Sequence, residues 1–190
     1  LKIKKTSTQY GLLMAVISSL LMLIAPEIIK FLGPKEYWNA IYCVIPIVIG
    51  GYFSFLYYIP CQVEYYYAKT KYIAFGSILA AIVNIILNSI FIHQYGYIAA
   101  AYTTLISYLL YFLFHYLISV RIAHKCLFET KKIVIMSCGV ILFGVVAFRL
   151  MYSPIIRWGL SIVIAVIYGS VIFKEFEVTN KIRKIKMRKM

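Results

Sequence analysis

Few side chains in this sequence can do acid, base or ligand chemistry. There is no aspartate, and the carboxylates are Glu27, Glu36, Glu64, Glu129, Glu175 and Glu177. The histidines are His93, His115 and His124, and the cysteines are Cys43, Cys61, Cys126 and Cys138. A metal-dependent hydrolase needs ligands at a spacing such as HExxH, and a serine hydrolase needs a GxSxG elbow. Neither pattern occurs, and no glycine-rich loop is set to cradle a phosphate. The cysteines form no CxxC pair, so a structural disulfide is not expected. The reading that follows is a protein that is not an enzyme and takes no metal or cofactor.

What remains is a small set of polar residues embedded in apolar sequence. His115 falls near one end of an apolar run. There it either serves a function, as ionisable groups in membrane segments commonly do, or stands as a neutral imidazole bonded to a neighbouring helix or a lipid headgroup. Glu64 either titrates in a cavity or pairs at the interface with Lys69 or Lys71. Asn84 and Asn88 either touch a polar cargo or bond one helix to another.

Spacing favours a close helix pair around these amides. Gly76, Ala80, Asn84 and Asn88 recur every four residues and so share one helix face. Ala99, Thr103 and Ser107 form a matching stripe on the next segment, with Ala100 and Thr104 beside it. Small residues let helices approach in lipid, and an amide left bare to hydrocarbon costs several kcal/mol. The two segments are predicted to pack as an antiparallel hairpin through a tight turn at His93 to Gly96.

The elements that carry these residues are six apolar runs: Tyr10 to Ile29, Ile41 to Tyr58, Ile73 to Ile92, Tyr97 to Val120, Ile133 to Ala147 and Ile155 to Phe173. Each can cross ~30 Å of hydrocarbon at ~1.5 Å per residue, with the fifth marginal. Hydrophobic residues make up 63% of the chain, well above the ~45–50% of soluble domains. The expected fold is therefore an all-α, polytopic transmembrane bundle of six spans. The first run ends in Pro26 and Glu27 and five more follow, so it reads as a span and not as a signal peptide. The second helix is expected to run on past Pro60 to Ala68 and to kink, tilt or protrude. Tyr37 and Trp38 supply an interfacial anchor, and the tyrosines from Tyr57 to Tyr67 look like a second aromatic belt. The last two spans, rich in Ile, Val, Leu and Phe, are expected at the periphery.

Charge gives the orientation. Sixteen of the 20 Lys and Arg lie in residues 1–9, 59–72, 121–132 and 174–190, and the other four are Lys30, Lys35, Arg149 and Arg157. The excess of Lys and Arg marks the cytoplasmic side, so both ends are expected there, as an even number of spans requires. The formal net charge of +14 is parcelled into loops on one side and not gathered on a solvated face. That argues against nucleic acid and for anionic lipid. The basic tail at 174–190 either binds an anionic leaflet or merely fixes the topology.

Several stretches together resemble the polysaccharide flippase branch of the multidrug/oligosaccharidyl-lipid/polysaccharide exporter superfamily. They are Ala25-Pro26-Glu27-Ile28-Ile29 leading to Leu32-Gly33-Pro34-Lys35-Glu36-Tyr37 and Ala40, then the Ala68-Lys69-Thr70-Lys71 turn. The Asn84 and Asn88 pair and Gln94-Tyr95-Gly96-Tyr97-Ile98-Ala99-Ala100-Ala101 before Thr103 and Thr104 complete the set. The resemblance covers roughly residues 10–120, with Ala99 standing where that family often has Gly.

The resemblance implies the second-lobe portion of a two-lobe, alternating-access transporter in a bacterial inner membrane. Residues 1–120 would form a four-span part of that lobe, 121–173 two additional spans and 174–190 a cytoplasmic tail. The chain begins at Leu1 and not at methionine, so a preceding lobe of the same polypeptide is expected as its partner. The implied cargo is a polyprenyl-pyrophosphate-linked oligosaccharide moved to the outer leaflet for O-antigen, capsule or exopolysaccharide assembly. Its anion site is expected mainly on the preceding lobe, with Lys30, Lys35, Arg149 and Arg157 dispensable. A cation-coupled drug exporter of the same superfamily, or a membrane-embedded glycosyl or acyl transferase, are the alternatives; a noncatalytic assembly subunit is a third.

Overall fold

A computed structural model describes residues 2–168 and residue 170. Seven helices follow in order: α1 (Lys2–Leu32), α2 (Ile41–Leu56), α3 (Tyr58–Tyr66), α4 (Lys71–Tyr95), α5 (Tyr97–Ala123), α6 (Thr130–Arg149) and α7 (Pro154–Tyr168). A single 3-10 turn, Lys35–Ala40, joins α1 to α2. Among the described residues there is no strand. Five stretches are long and apolar enough to cross a membrane, α2 and α3 counting as one, and α7 is a shorter apolar helix. The protein is a membrane-embedded, all-α bundle of about six spans. The predicted sixth run continues past Ser170, and that part, like the basic tail at 174–190, lies outside the described residues.

The fifth span is not marginal. α6 begins at Thr130, three residues before the apolar run, and its 20 residues cover ~30 Å. The second span does run on past Pro60, to Tyr66, and it is interrupted at Tyr57, which divides it into α2 and α3. Pro60 has no N–H to give the Leu56 carbonyl, so the helical ladder loses a rung at that joint. α3 then ends on Ala68, whose φ of 53° is left-handed. Lys69 N–H donates to the Glu64 carbonyl at 2.8 Å and Ala68 N–H to that of Tyr65 at 3.0 Å. This Schellman closure stops α3 at a fixed point and turns the chain into α4.

α5 is the central helix, packed on α4 along one side and on α2 and α3 along the other. α1 packs behind α2, and α6 closes on both. The apolar core lies among α1, α2, α5 and α6, built from Met22, Leu23, Ile45, Ile49, Tyr52, Phe53, Leu56, Phe112, Val140 and Ala147. Gly144 lets α6 approach: a Cβ there would come 2.8 Å from the end of Ile49. The fifth span is thus less peripheral than its composition suggests, because α6 buries Ile133, Val140, Gly144 and Ala147, whereas the described part of the sixth exposes Ile155, Ile156, Trp158, Ile162 and Val166. The edge of the bundle is α4, which buries only Gly76 and exposes Phe75, Ile78, Ile82 and Ile85.

Successive helices alternate between two ends of the bundle. One, the basic end, carries Lys4, Lys69, Lys71, Arg121, Lys125 and Lys131; the Thr8 hydroxyl of α1 meets Glu129 there, just before α6, at 3.5 Å. The far end carries the 3-10 turn and the α6–α7 connection, where the hydroxyls of Tyr42 and Tyr152 lie 2.6 Å apart. Tyr37 and Trp38 are exposed at this far end, with Lys30 over the Trp38 ring at 5.7 Å.

Candidate functional site: a polar seam through the bundle

α5 turns one continuous stripe inward. Ala99, Thr103, Ser107, Tyr111, His115, Ser119 and Ala123 recur every four residues and all are buried. None is aliphatic beyond alanine, so this helix presents small and hydrogen-bonding groups to its neighbours along its whole length. The four-residue row is also the ridge along which helices commonly interdigitate.

On the half toward the far end, this stripe meets the amides of α4. Gly96, with φ of 70°, makes the tight α4–α5 turn that a side chain would strain. Beyond it, the Thr103 hydroxyl donates to Asn88 Oδ1 at 2.5 Å. Asn88 Nδ2 donates to Asn84 Oδ1 at 3.0 Å, and Asn84 Nδ2 to Ser107 Oγ at 3.2 Å. The two asparagines therefore bond α4 to α5 as a relay. Beside them lies a cleft of about 280 Å³ lined by Ser77, Ala80, Ala81, Asn84, Thr104, Ser107, Tyr108 and Tyr111. Thr104 belongs to this cleft and not to the relay. The Tyr111 hydroxyl closes the cleft's basic-end side through Ser77 Oγ at 2.8 Å.

One turn on, the seam holds a buried acid–base pair. His115 Nδ1 lies 2.6 Å from Glu64 Oε1, and both side chains are 0% exposed. This corrects the expected pairing of Glu64 with Lys69 or Lys71: α3 turns its carboxylate inward onto α5, away from the basic end. Aromatic rings cover the imidazole, with centroids of Tyr111 at 4.6 Å, Phe114 at 5.2 Å and Tyr57 at 5.7 Å. Its Nε2 faces α4 at Gly76, where a Cβ would stand 2.8 Å away. Glu64 Oε2 and His115 Nε2 have no hydrogen-bond partner.

No protein-family model matches the chain, and neither a curated protein nor a solved structure matches it. The site is therefore read from its own geometry. Among the described residues no three His, Cys, Asp or Glu side chains gather as a metal site would need. His93, in the last turn of α4, and His124, the residue that follows α5, are exposed at opposite ends of the bundle.

Of the residues predicted from sequence, Asn84, Asn88 and Thr103 come together in the relay and Glu64 and His115 in the pair, while Thr104 lines the cleft between them. Sequence reasoning missed that the α5 stripe continues through Tyr111, His115 and Ser119. The four-residue spacing that revealed Thr103 and Ser107 carries on unbroken to those positions. It also missed Arg157, grouped with loop cations but in fact 2% exposed, bonded to Glu27 and to the Leu23 carbonyl. Neutralising it together with Lys30, Lys35 and Arg149 would disturb the bundle itself and is no test of a cargo site.

Proposed function

We propose that the chain is the second-lobe portion of a flippase that carries a lipid-linked oligosaccharide from the inner to the outer leaflet of a bacterial inner membrane. The observation that carries this reading is the polar seam. A bundle of apolar helices holds an amide and hydroxyl relay, a cleft and an acid–base pair along one central helix. A sugar headgroup cannot cross hydrocarbon unaided, because each unsatisfied hydroxyl costs several kcal/mol. A wall of Asn, Ser, Thr and Tyr replaces the water it loses, and alternating access between two lobes opens that wall to each side in turn. The cleft of about 280 Å³ is below the ~300–1,000 Å³ of ligand pockets, which suits one wall of a larger cavity completed by a preceding lobe. The basic end then faces the cytoplasm.

The transferase alternative gains one supporting feature, a histidine with a carboxylate partner. It lacks room: the imidazole is walled by Tyr57, Tyr111 and Phe114 and abuts Gly76, leaving no position where a reacting atom could meet Nε2. The drug-exporter alternative shares the architecture, and cargo separates the two.

Deleting the gene in cells should remove surface polysaccharide and leave its lipid-linked precursor on the inner leaflet, restored by the full-length gene. Unchanged precursor sidedness, with raised sensitivity to cationic drugs, would favour the exporter instead.

A further inference from the structure

We propose that Glu64 and His115 form a proton-binding site whose occupancy is linked to the separation of α3 from α5. The two residues come from different helices, 51 positions apart, so the site exists only while α3 lies against α5. α3 is short, 9 residues, and is bounded by the joint at Tyr57 and the left-handed Ala68. Separating α3 from α5 would withdraw Glu64 from the imidazole together with Val63, which α3 lends to the apolar core.

The chemistry of the closed site fixes how many protons it holds. Burial disfavours any net charge, and around this pair nothing compensates one. The titratable groups facing it are Tyr57 at the α2–α3 joint, Cys61 on α3 and Tyr111 on α5; α4 meets it at Gly76, with Ser77 bonded to the Tyr111 hydroxyl. Among the described residues neither member forms an ion pair with a lysine or arginine. With one proton between Nδ1 and Oε1 the pair is neutral overall. With none it is an uncompensated anion, and with two an uncompensated cation, each costing several kcal/mol when buried. The unpartnered Oε2 and Nε2 are the atoms through which water would reach the site once α3 moves.

The cycle balances as a proton exchange with water. Closing brings a hydrated carboxylate and imidazole together and takes one proton from the aqueous phase at the basic end. Opening rehydrates both groups, and above about pH 6.5, where a free histidine is neutral, that proton returns to water. Between about pH 4.3 and 6.5 the open pair keeps one proton, so opening there is independent of pH. Above that range opening should become easier by up to about tenfold per pH unit. Use of this proton to drive cargo rests on the transport reading above; the site itself does not.

Cys61 reports the opening. It is buried, 2% exposed, one turn from Glu64 on α3. In the full-length protein in nanodiscs, with every other cysteine replaced by serine, the labelling rate of Cys61 by a water-soluble maleimide is measured from about pH 5 to 8. Dividing by the rate of a cysteine placed at exposed Tyr66 (Tyr66→Cys) removes the ionisation of the thiol itself. The ratio should stay flat to about pH 6.5 and then climb, approaching tenfold per unit. Glu64→Gln should abolish the climb, because the amide still bonds a neutral imidazole and no proton is then taken up. A ratio that does not change with pH, a Cys61 that never labels, or a climb that survives in Glu64→Gln overturns the proposal. The wild-type titration decides even if the variant fails to fold. A climb in a protein that leaves precursor sidedness unchanged would keep the proton site and discard the flippase.

Discussion

Arg157 clamps Glu27 across 130 residues of sequence, the guanidinium of α7 taking both carboxylate oxygens near the end of α1. The same guanidinium donates to the Leu23 carbonyl at 2.9 Å. A forked, charge-assisted contact of this kind fixes direction as well as distance, and it holds α7 against α1 at the far end. The two partners differ in burial: Arg157 is 2% exposed and Glu27 31%.

That asymmetry makes the two single substitutions unequal. Glu27→Gln leaves a buried guanidinium without its counter-charge and should cost on the order of 3–5 kcal/mol. Arg157→Met leaves a carboxylate that water can reach and should cost distinctly less. Thermal unfolding of the two variants in detergent checks the order; equal losses would mean the pair is solvated at both ends.

Gly76 is required by the His115 ring and not by helix geometry. Gly76→Ala places a methyl 2.8 Å from Nε2 and from Phe114, so the ring must shift off Glu64 at a cost of roughly 1–3 kcal/mol. Gly51, which has nothing within 4 Å, is the control: Gly51→Ala should be neutral or stabilising by up to about 1 kcal/mol. Comparable melting temperatures for the two variants would contradict the packing around the pair.

At the basic end, Glu129 ties the start of α6 to α1. Lys132 beside it, aided by the Thr8 hydroxyl, holds its carboxyl below the usual carboxylate range. A depressed value means the contribution is fully present above the ordinary glutamate value of about 4.3 and is lost as pH falls through the lower folded value. Amide exchange in the first turn of α6, corrected for its intrinsic rate, should therefore stay slow at neutral pH and quicken only below about pH 4. Glu129→Gln should quicken it at neutral pH.

The threading and the α4–α5 hairpin were legible in the sequence because lipid imposes them: runs of fixed length, short loops and small residues where helices meet. The Asn84–Asn88 relay was legible for the same reason, since hydrocarbon leaves an amide no alternative partner. The Glu64–His115 pair was not. Which side of α3 meets α5 depends on the twist at Tyr57 and on the closure at Ala68, and neither leaves a periodic trace in nine residues. Arg157 misled because it opens an apolar run, where cations normally reach the headgroups. Its four-residue spacing from Ser153 and Ser161 marks the inward face, and the Ser161 hydroxyl bonds the Arg157 carbonyl at 2.8 Å.

The proposed transport and the proposed proton site both depend on successive helices alternating across the bilayer. Single cysteines at Tyr37 and Lys131, placed in the full-length protein without its native cysteines, test this with a membrane-impermeant maleimide on intact cells. Tyr37→Cys should label from outside and Lys131→Cys only after the membrane is opened. Labelling of both positions from one side would contradict the threading, and with it every functional conclusion drawn from the seam.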